Sequence, residues 1–383
     1  MLGSKPKLSI LNISLASGGA EKVISLLMKE LVNDYEVTLI LFYNEIHFPI
    51  PEQVKTIILC DKKPTRPFYK KISDALQFNS KYRRILTDLK INYAISFLAF
   101  PNFINGINSI FNNRALSIIS ERGFPSDNTT SKLSLYIAKI FYPLLYNRCD
   151  KLFSNSYYIN ADLKNNFGVK IPMEVIYNPI ELPLHTINPE DLQYSEREFR
   201  IITAGTLNTR KNHIMILKAL KNDFNSNIKF DLLGGGHLED ALKNFVKTNN
   251  LQSKVNFQGK VKNVGEYMLQ NHCFVLSSHT EGFPNALLEA MSYGLPCIST
   301  NCLSGPLELL NQNEQVNIPI NDFVLAEYGI LINNNDHIGL LKAINYLQEN
   351  PNKCIHYSKM SLKRSKDFDL EKIYDLFKTF LNS

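Results

Sequence analysis

Ser278-His279-Thr280-Glu281-Gly282-Phe283-Pro284-Asn285-Ala286-Leu287-Leu288-Glu289-Ala290-Met291 places two carboxylates eight residues apart across a turn from strand to helix. Before it, Cys273-Phe274-Val275-Leu276 is a short apolar run that opens into Ser277-Ser278, the pattern of a buried strand ending in a loop. After it, Leu287, Leu288 and Met291 follow helical spacing. Pro284 suits the first helical position, and Gly294 with Pro296 supplies a stop.

A helix that starts directly after a strand of an α/β sheet directs unpaired N–H groups and a positive dipole end beyond the strand's carboxyl edge. A diphosphate fits such a place. Glu281 in the loop and Glu289 on the helix can then face a sugar and a ribose, both rich in hydroxyl donors that a carboxylate accepts. The plainer reading makes Glu281 an acid at a helix start and Glu289 a solvated charge. Each residue alone favours it; the combination with Gly282, Phe283, Pro284 and the small-residue exit does not.

Strand-like runs at Leu8 to Ile13, Val37 to Phe42, Tyr93 to Phe97 and Ala115 to Ile119 alternate with helical stretches such as Ala20 to Val32. A second series runs through Phe199 to Thr203, Lys229 to Leu233, Val255 to Phe257, Cys273 to Leu276 and Pro296 to Thr300. Repeated βα units imply parallel, doubly wound sheets, and 383 residues suffice for two such domains. The polar, proline-bearing stretch between the series reads as a linker.

These residues resemble the E-x7-E signature of a large retaining glycosyltransferase family, glycosyltransferase family 4, typified by bacterial lipopolysaccharide, capsule and glycan-assembly enzymes. The resemblance implies the GT-B fold, two Rossmann-like doubly wound domains facing across a cleft. Val175-Ile176-Tyr177-Asn178-Pro179 is similar to the segment that closes the first domain in that family. The expected organisation is an acceptor-side domain over 1–180, a linker over 181–198, a nucleotide-sugar domain over 199–366 and a helix over 367–383 that returns to the first domain. Asp367-Phe368-Asp369 superficially matches a metal motif of another glycosyltransferase fold, but Asp369 reads as a helix cap.

By the same resemblance, Glu281 with Gly282, Phe283, Pro284 and Asn285 lies near the donor sugar and diphosphate, and Glu289 near the ribose. Gly205 to Asn212 looks like the family's G-R-L-x-x-x-K-N element, with Lys211 at the lysine position. Thr206 stands where an arginine is usual, and Arg210 is expected to take its place; the alternative is a solvated Arg210 beside one functional lysine. Gln258 to Asn263, with Val261, resembles the turn over which the base sits, and uridine is favoured over guanosine. Gly18 and Gly19, in Ser17-Gly18-Gly19-Ala20-Glu21, follow the first strand and allow close approach to a ligand, although a tight βα turn explains them equally well. Arg122, in Ser120-Glu121-Arg122, either meets the acceptor or leaving diphosphate or pairs with Glu121. Catalytic roles are expected for Glu281, Arg122 and Lys211.

Residues 1–178 carry 22 Lys and Arg against 14 Asp and Glu, while the remainder carries 20 against 22. A basic half suits an anionic membrane or a diphosphate-bearing acceptor, and no nucleic-acid motif accompanies it. Lys62 to Lys90 is a basic amphipathic element, either a solvated helical face or one that lies on an anionic bilayer; Leu133 to Tyr146, rich in Leu, Ile, Phe and Tyr, either assists there or, as its composition favours, is buried packing. The six cysteines form no zinc-like or C-x-x-C spacing, which points to a reducing compartment. No signal peptide or membrane span is visible, and no cofactor or metal is expected. The Gly234-Gly235-Gly236 turn lacks G-x-G-x-x-G spacing, which argues against a dehydrogenase.

The expected activity is therefore retaining transfer of a hexosyl or N-acetylhexosaminyl group from a nucleotide-diphosphate sugar to a saccharide acceptor on polyprenyl diphosphate, at the cytosolic face of the inner membrane. A sugar-nucleotide epimerase of the same architecture, or a non-catalytic sugar-nucleotide-binding partner of a membrane assembly complex, are the competing readings.

Overall fold

The computed structural model describes residues 5–61, 68–111, 115–127, 132–192, 198–223 and 227–383. The chain forms two compact units, Met1–Pro179 with Leu370–Ser383, and Ile180–Asp369.

In the first unit the elements are β1 (Lys7–Asn12), α1 (Gly19–Asp34), β2 (Glu36–Tyr43), β3 (Lys55–Cys60), α2 (Phe68–Asp88), β4 (Tyr93–Phe97), α3 (Ala99–Ser109), β5 (Leu116–Glu121), α4 (Lys132–Phe141), β6 (Lys151–Ser154), α5 (Tyr157–Phe167) and β7 (Met173–Val175). A π-helical turn, Tyr142–Tyr146, extends α4. The strands form a parallel sheet in the order β3-β2-β1-β4-β5-β6-β7. Both faces are covered, and β1 and β2 are accordingly buried along almost their whole length. Leu8 and Ile10 join the core with Val23, Leu27 and Leu31 of α1, while Leu11 points the other way into a cluster with Phe78, Tyr82 and Leu86 of α2. Beyond α3, Tyr142 and Tyr146 pack with Leu152 of β6 and with Ile159 and Leu163 of α5.

The second unit runs β8 (Phe199–Ala204), α6 (His213–Lys221), β9 (Ile228–Leu233), α7 (Glu239–Thr248), β10 (Val255–Gly259), α8 (Val264–Met268), β11 (Cys273–Leu276), α9 (Asn285–Ser292), β12 (Cys297–Thr300), α10 (Pro306–Asn311), β13 (Phe323–Leu325), β14 (Ile330–Ile332), α11 (His337–Glu349) and α12 (Pro351–Ser365). Its sheet order is β10-β9-β8-β11-β12-β14-β13, parallel except for the last pair. The closing helix, α13 (Leu370–Asn382), belongs to the first unit: Ile373, Tyr374, Phe377, Phe380 and Leu381 enter the core beside α1. Tyr374 donates to Asp34 at 2.7 Å, and Lys378 pairs with the same carboxylate at 2.7 Å.

Two doubly wound α/β units are thus what the alternating apolar runs imply. The described part of 181–198 is attached to the second unit: Leu192 is buried, and the Ile187 N–H donates to the Tyr293 carbonyl. β3, β6, β7, β13 and β14 go beyond the strands expected from sequence. All five have six residues or fewer, and β3, β7 and β13 lie at or near sheet edges, where the apolar signal is weak.

Leu133 to Tyr146 departs from its expected burial. Ala138, Tyr142, Leu145 and Tyr146 face the core, but Tyr136, Ile137, Ile140, Phe141 and Leu144 are exposed. In the basic amphipathic element, residues 62–67 and the side chains of 68–74 lie outside the described residues. Further along it, Phe78, Tyr82 and Leu86 are buried, Arg83 lies 4.3 Å from the Phe111 ring and Arg84 pairs with Asp88.

Candidate functional site

Strand order locates the site. In an open parallel sheet, ligands bind beyond the carboxyl ends of the two strands at which the winding reverses, because their following loops diverge to opposite faces. In the second unit those strands are β8 and β11. The loop after β8 carries Gly205 to Asn212, and the loop after β11 carries Ser277 to Pro284.

The two loops are joined by a buried charge cluster. Glu281, 4% exposed, takes Lys211 Nζ on Oε1 at 2.5 Å and Arg210 Nη1 on Oε2 at 3.3 Å. Ser278 Oγ donates to Oε1 at 2.5 Å. Backbone contacts fix both loops: Ser277 Oγ donates to the Lys211 carbonyl at 2.9 Å, and the His279 N–H donates to the Arg210 carbonyl at 2.8 Å. Burial pushes the Glu281 carboxyl up, but the two cations and its hydrogen bonds outweigh that and hold it below the usual carboxylate range. His213, at the start of α6, is buried near the same charges, its Nδ1 has no hydrogen-bond partner, and burial with the nearby Lys211 cation pushes its pKa down to about 4.

A third loop presses from behind. Ser304 Oγ donates to the Glu281 carbonyl, and Thr280 and Leu303 form a parallel bridge. Gly305 has φ +96°, and a Cβ there would meet Pro284 Cδ at 2.3 Å. Pro284 occupies the capping position of α9, one residue before the first helical residue for which it is suited. Phe283 is buried with its ring 5.7 Å from that of Phe368, so its side chain packs the loop from within. Gly282 is buried and Asn285 is partly so.

The glycines after β9 serve backbone approach. Gly234 has φ +131°, and a Cβ there would lie 1.9 Å from the Gly205 carbonyl oxygen; one on Gly236 would lie 2.4 Å from that of Leu207. Gly205, Leu207 and Gly234 donate in turn to Leu233, Gly235 and Gly259, which ties the ends of β8, β9 and β10 into one platform. Val261 follows at its edge, partly buried. Next to it, Gly265 faces the Tyr293 hydroxyl, where a Cβ would come within 2.1 Å. This contact sets the Val261 turn beside α9, on which Glu289 is half-buried and, with burial, raises the Tyr293 phenol.

In the first unit, Gly18 and Gly19 follow β1, one of that sheet's two reversal strands. Gly18 caps α1 in extended conformation; the Glu21 carboxylate folds over it, 2.1 Å from where a Cβ would sit. Arg122, 8% exposed, lies between Phe97 and Phe153, 5.1 and 4.9 Å from the ring centroids, and donates to Asn178 Oδ1 at 2.9 Å. The expected alternative, a pair with Glu121, is replaced by another arrangement: Glu121 Oε2 accepts from Tyr146 at 2.8 Å, and its Oε1 accepts from the Arg122 backbone N–H. Burial pushes the Glu121 carboxyl up to about 7 and the Arg122 guanidinium down to about 9.

Arg210, Lys211 and Glu281 thus converge from loops some seventy residues apart in sequence. Ser278, His213, Ser304 and Gly305 escaped the sequence reading as partners of that cluster. The Ser304-Gly305-Pro306 turn after a strand was the one available signal.

Residues 17–183 match the family model described as Glycosyltransferase Family 4, and residues 186–364 match Glycosyl transferases group 1. A Campylobacter jejuni protein, N-acetylgalactosamine-N,N'-diacetylbacillosaminyl-diphospho-undecaprenol 4-alpha-N-acetylgalactosaminyltransferase, is 30% identical over 374 residues, covering 96% of this chain and 97% of that one. The chain belongs to the group 1, family 4 glycosyltransferases. A second Campylobacter jejuni relative of this transferase, a GalNAc-alpha-(1->4)-GalNAc-alpha-(1->3)-diNAcBac-PP-undecaprenol alpha-1,4-N-acetyl-D-galactosaminyltransferase, is 26% identical across 96% of each chain. Among solved structures, sucrose-phosphate synthase from Thermosynechococcus elongatus superposes with a TM-score of 0.80 at 16% identity, covering 99% of this chain and 98% of that one. Anabaena HepE in complex with UDP and glucose gives 0.76 at 17% identity, over 99% and 100%. These likenesses make the fold GT-B.

Proposed function

We propose that the transferase moves an N-acetylhexosaminyl or hexosyl group from a UDP-sugar to a saccharide carried on polyprenyl diphosphate, with retention of anomeric configuration, in surface-glycan assembly. The observation that carries this reading is the buried Glu281 carboxylate with Lys211 and Arg210 at the reversal strands of the second unit. Two cations beside the start of a helix make a diphosphate cradle, and a carboxylate among them accepts from sugar hydroxyls. The names of both Campylobacter relatives specify undecaprenol-linked acceptors and alpha-linked products. An alpha product from an alpha-linked nucleotide sugar is retention.

In the proposed step the bond from the anomeric carbon to the β-phosphate oxygen breaks, its electron pair staying on the diphosphate. The acceptor oxygen bonds to the same face of that carbon, and its proton passes to a donor phosphate oxygen. Lys211 and Arg210 stabilise the charge that accumulates on the leaving diphosphate, the kind of preorganised electrostatics that dominates many transfers. Glu281 orients the sugar and steadies both cations without bonding covalently. Glu289 takes the ribose, and the turn at Val261 borders the base through backbone groups. The backbone of Gly282 to Asn285 lines the phosphates, while Gly18 and Gly19 admit ligand at the first unit. Arg122, held between two rings, is assigned to positioning Asn178. Among the described residues no helix is long and apolar enough to cross a membrane, and a peripheral location on the cytosolic face of the inner membrane is part of the proposal.

A panel of nucleotide sugars, offered with a short-chain lipid-diphosphate saccharide, tests this by release of nucleoside diphosphate and mass analysis of product. Glu281→Gln is expected to lower kcat by about a hundredfold. Turnover of no donor by the wild type, or a trapped glycosyl adduct on Glu281, would overturn the reading.

A further inference from the structure

β5 ends in a buried acid that the transfer chemistry leaves unused. Glu121, 1% exposed, stands at the carboxyl edge of the first unit's sheet, the edge from which the loops of a parallel sheet meet ligands. Its Oε2 accepts from the Tyr146 hydroxyl at 2.8 Å and its Oε1 from the Arg122 N–H at 3.3 Å, and the Gly123 N–H also donates to the carboxyl. One side chain thus joins the π-helical turn to the loop that follows β5. The π turn is the fixed partner: a Cβ on Gly106 of α3 would lie 2.4 Å from the Leu145 carbonyl oxygen, so the turn is seated hard against α3. Tyr146 is held further by Asn102, whose Nδ2 donates to its hydroxyl at 3.2 Å and to the Ser120 carbonyl at 2.9 Å. Turns of this kind recur at functional sites.

These partners all donate, which suits the anion and opposes the acid. A proton on Oε2 makes the Tyr146 hydroxyl swing away, and one on Oε1 takes the acceptor from the Arg122 amide. Facing the carboxyl are Arg122 on its own loop and Tyr142 and Tyr146 on the π turn, with Asp162 of α5 acting on Tyr142 and the neutral Asn102 on α3. Burial raises both phenols far above neutrality, so they remain donors, and Arg122, at about 9, remains a cation. Glu121 itself, pushed up to about 7 by burial, exchanges its proton near neutral pH. The loop it holds carries Arg122, whose guanidinium donates to Asn178 at 2.9 Å from between the Phe97 and Phe153 rings.

We infer that Glu121 is a positioning residue: ionised, it ties the turn at Arg122 and Gly123 to Tyr146 and holds the loop in the geometry used for acceptor transfer; protonated, it releases that turn. The effect on turnover rests on the proposed function, whereas the joint itself stands on the hydrogen bonds.

Acceptor kcat/KM measured against pH tests it. The wild type is expected to lose about tenfold between about pH 8 and about pH 6, following one proton with a pKa of about 7, while UDP affinity stays unchanged. Glu121→Gln, which imitates the protonated acid, is expected to hold the low value at every pH. Tyr146→Phe, which removes one donor to the anion, is expected to move the inflection up by about one unit. Infrared difference spectra over the same range need no substrate: the carbonyl band of a buried carboxylic acid is expected to grow at low pH in the wild type and to be missing in Glu121→Gln. Hydrogen exchange of the peptide spanning 120–127, corrected for intrinsic rate, is expected to quicken with that band. A flat wild-type profile, an inflection retained in Glu121→Gln, or exchange in that peptide indifferent to the proton would overturn the inference. Intact infrared and exchange responses in a protein that transfers no sugar would instead overturn the transferase reading and leave the joint standing.

Discussion

Glu281 shows how a buried charge is retained. Desolvation opposes its ionised form, and only Lys211, Arg210 and Ser278 together reverse the balance. Lys211 is the more enclosed cation, its side chain 14% exposed against 49% for Arg210. Truncating the enclosed partner leaves the buried anion only its longer, half-exposed pair with Arg210, whereas truncating the exposed one removes a solvent-screened contact. Calorimetric titration with UDP is therefore expected to show Lys211→Ala weakening binding by roughly thirtyfold and Arg210→Ala by roughly threefold. Equal losses would show that Arg210 replaces the arginine missing at Thr206 in full.

His213 supplies a pH signature at the same scale. Its folded pKa, about 4, lies below the ordinary 6.5, so the unfolded chain takes up the proton first as pH falls. Stability from this group is complete above pH 6.5, declines as pH falls from there to about 4, and levels off below; the full loss is of order 3 kcal/mol. Thermal melts across that window are expected to fall for the wild type and to flatten for His213→Gln. Glu281 acts lower down: its contribution is complete above 4.5 and is lost as pH falls through its depressed pKa.

Between elements, glycine decides how closely loops meet. Gly234 combines φ +131° with a carbonyl oxygen where its Cβ would be, so the platform under the site has room for no other residue there. Gly234→Ala is expected to cost about 3 kcal/mol or more in denaturant unfolding, and to weaken UDP binding by displacing Gly205 and, with it, Lys211. Gly18→Ala meets the end of a flexible Glu21 side chain instead and is expected to be mild. The sequence marked Gly234 to Gly236 as a turn lacking dinucleotide spacing, and that exclusion stands. What it lacked was the partner loop, because Gly205 and Gly234 approach through strand pairing that no local pattern encodes. α4 is the complementary case: its residues spell a buried helix, and only its packed surroundings show one face left uncovered.

At the scale of the molecule, α13 completes the first unit from the far end of the chain. Its five buried apolar side chains fill the core beside α1, and Asp34 is bonded by both Tyr374 and Lys378. A chain ending at Asp369 would leave that face open. It is expected to lose the cooperative melt of the first unit and to aggregate, while the second unit, Ile180–Asp369, keeps its own UDP affinity by calorimetry. The amino-acid order alone determined that there are two doubly wound units, that an acid-bearing loop follows the strand Cys273–Leu276, and that Lys211 follows the first strand of the same unit. Those signals are local, carried by apolar period, turn residues and spacing. Tertiary structure alone decided that β8 and β11 are neighbours, that Lys211, Arg210 and Ser278 close on one carboxylate, that Arg122 turns to Asn178 rather than Glu121, and that α4 is covered on one side only. Each of those depends on which distant strands and helices pair, a choice made by burial over the whole chain and written in no single stretch of it.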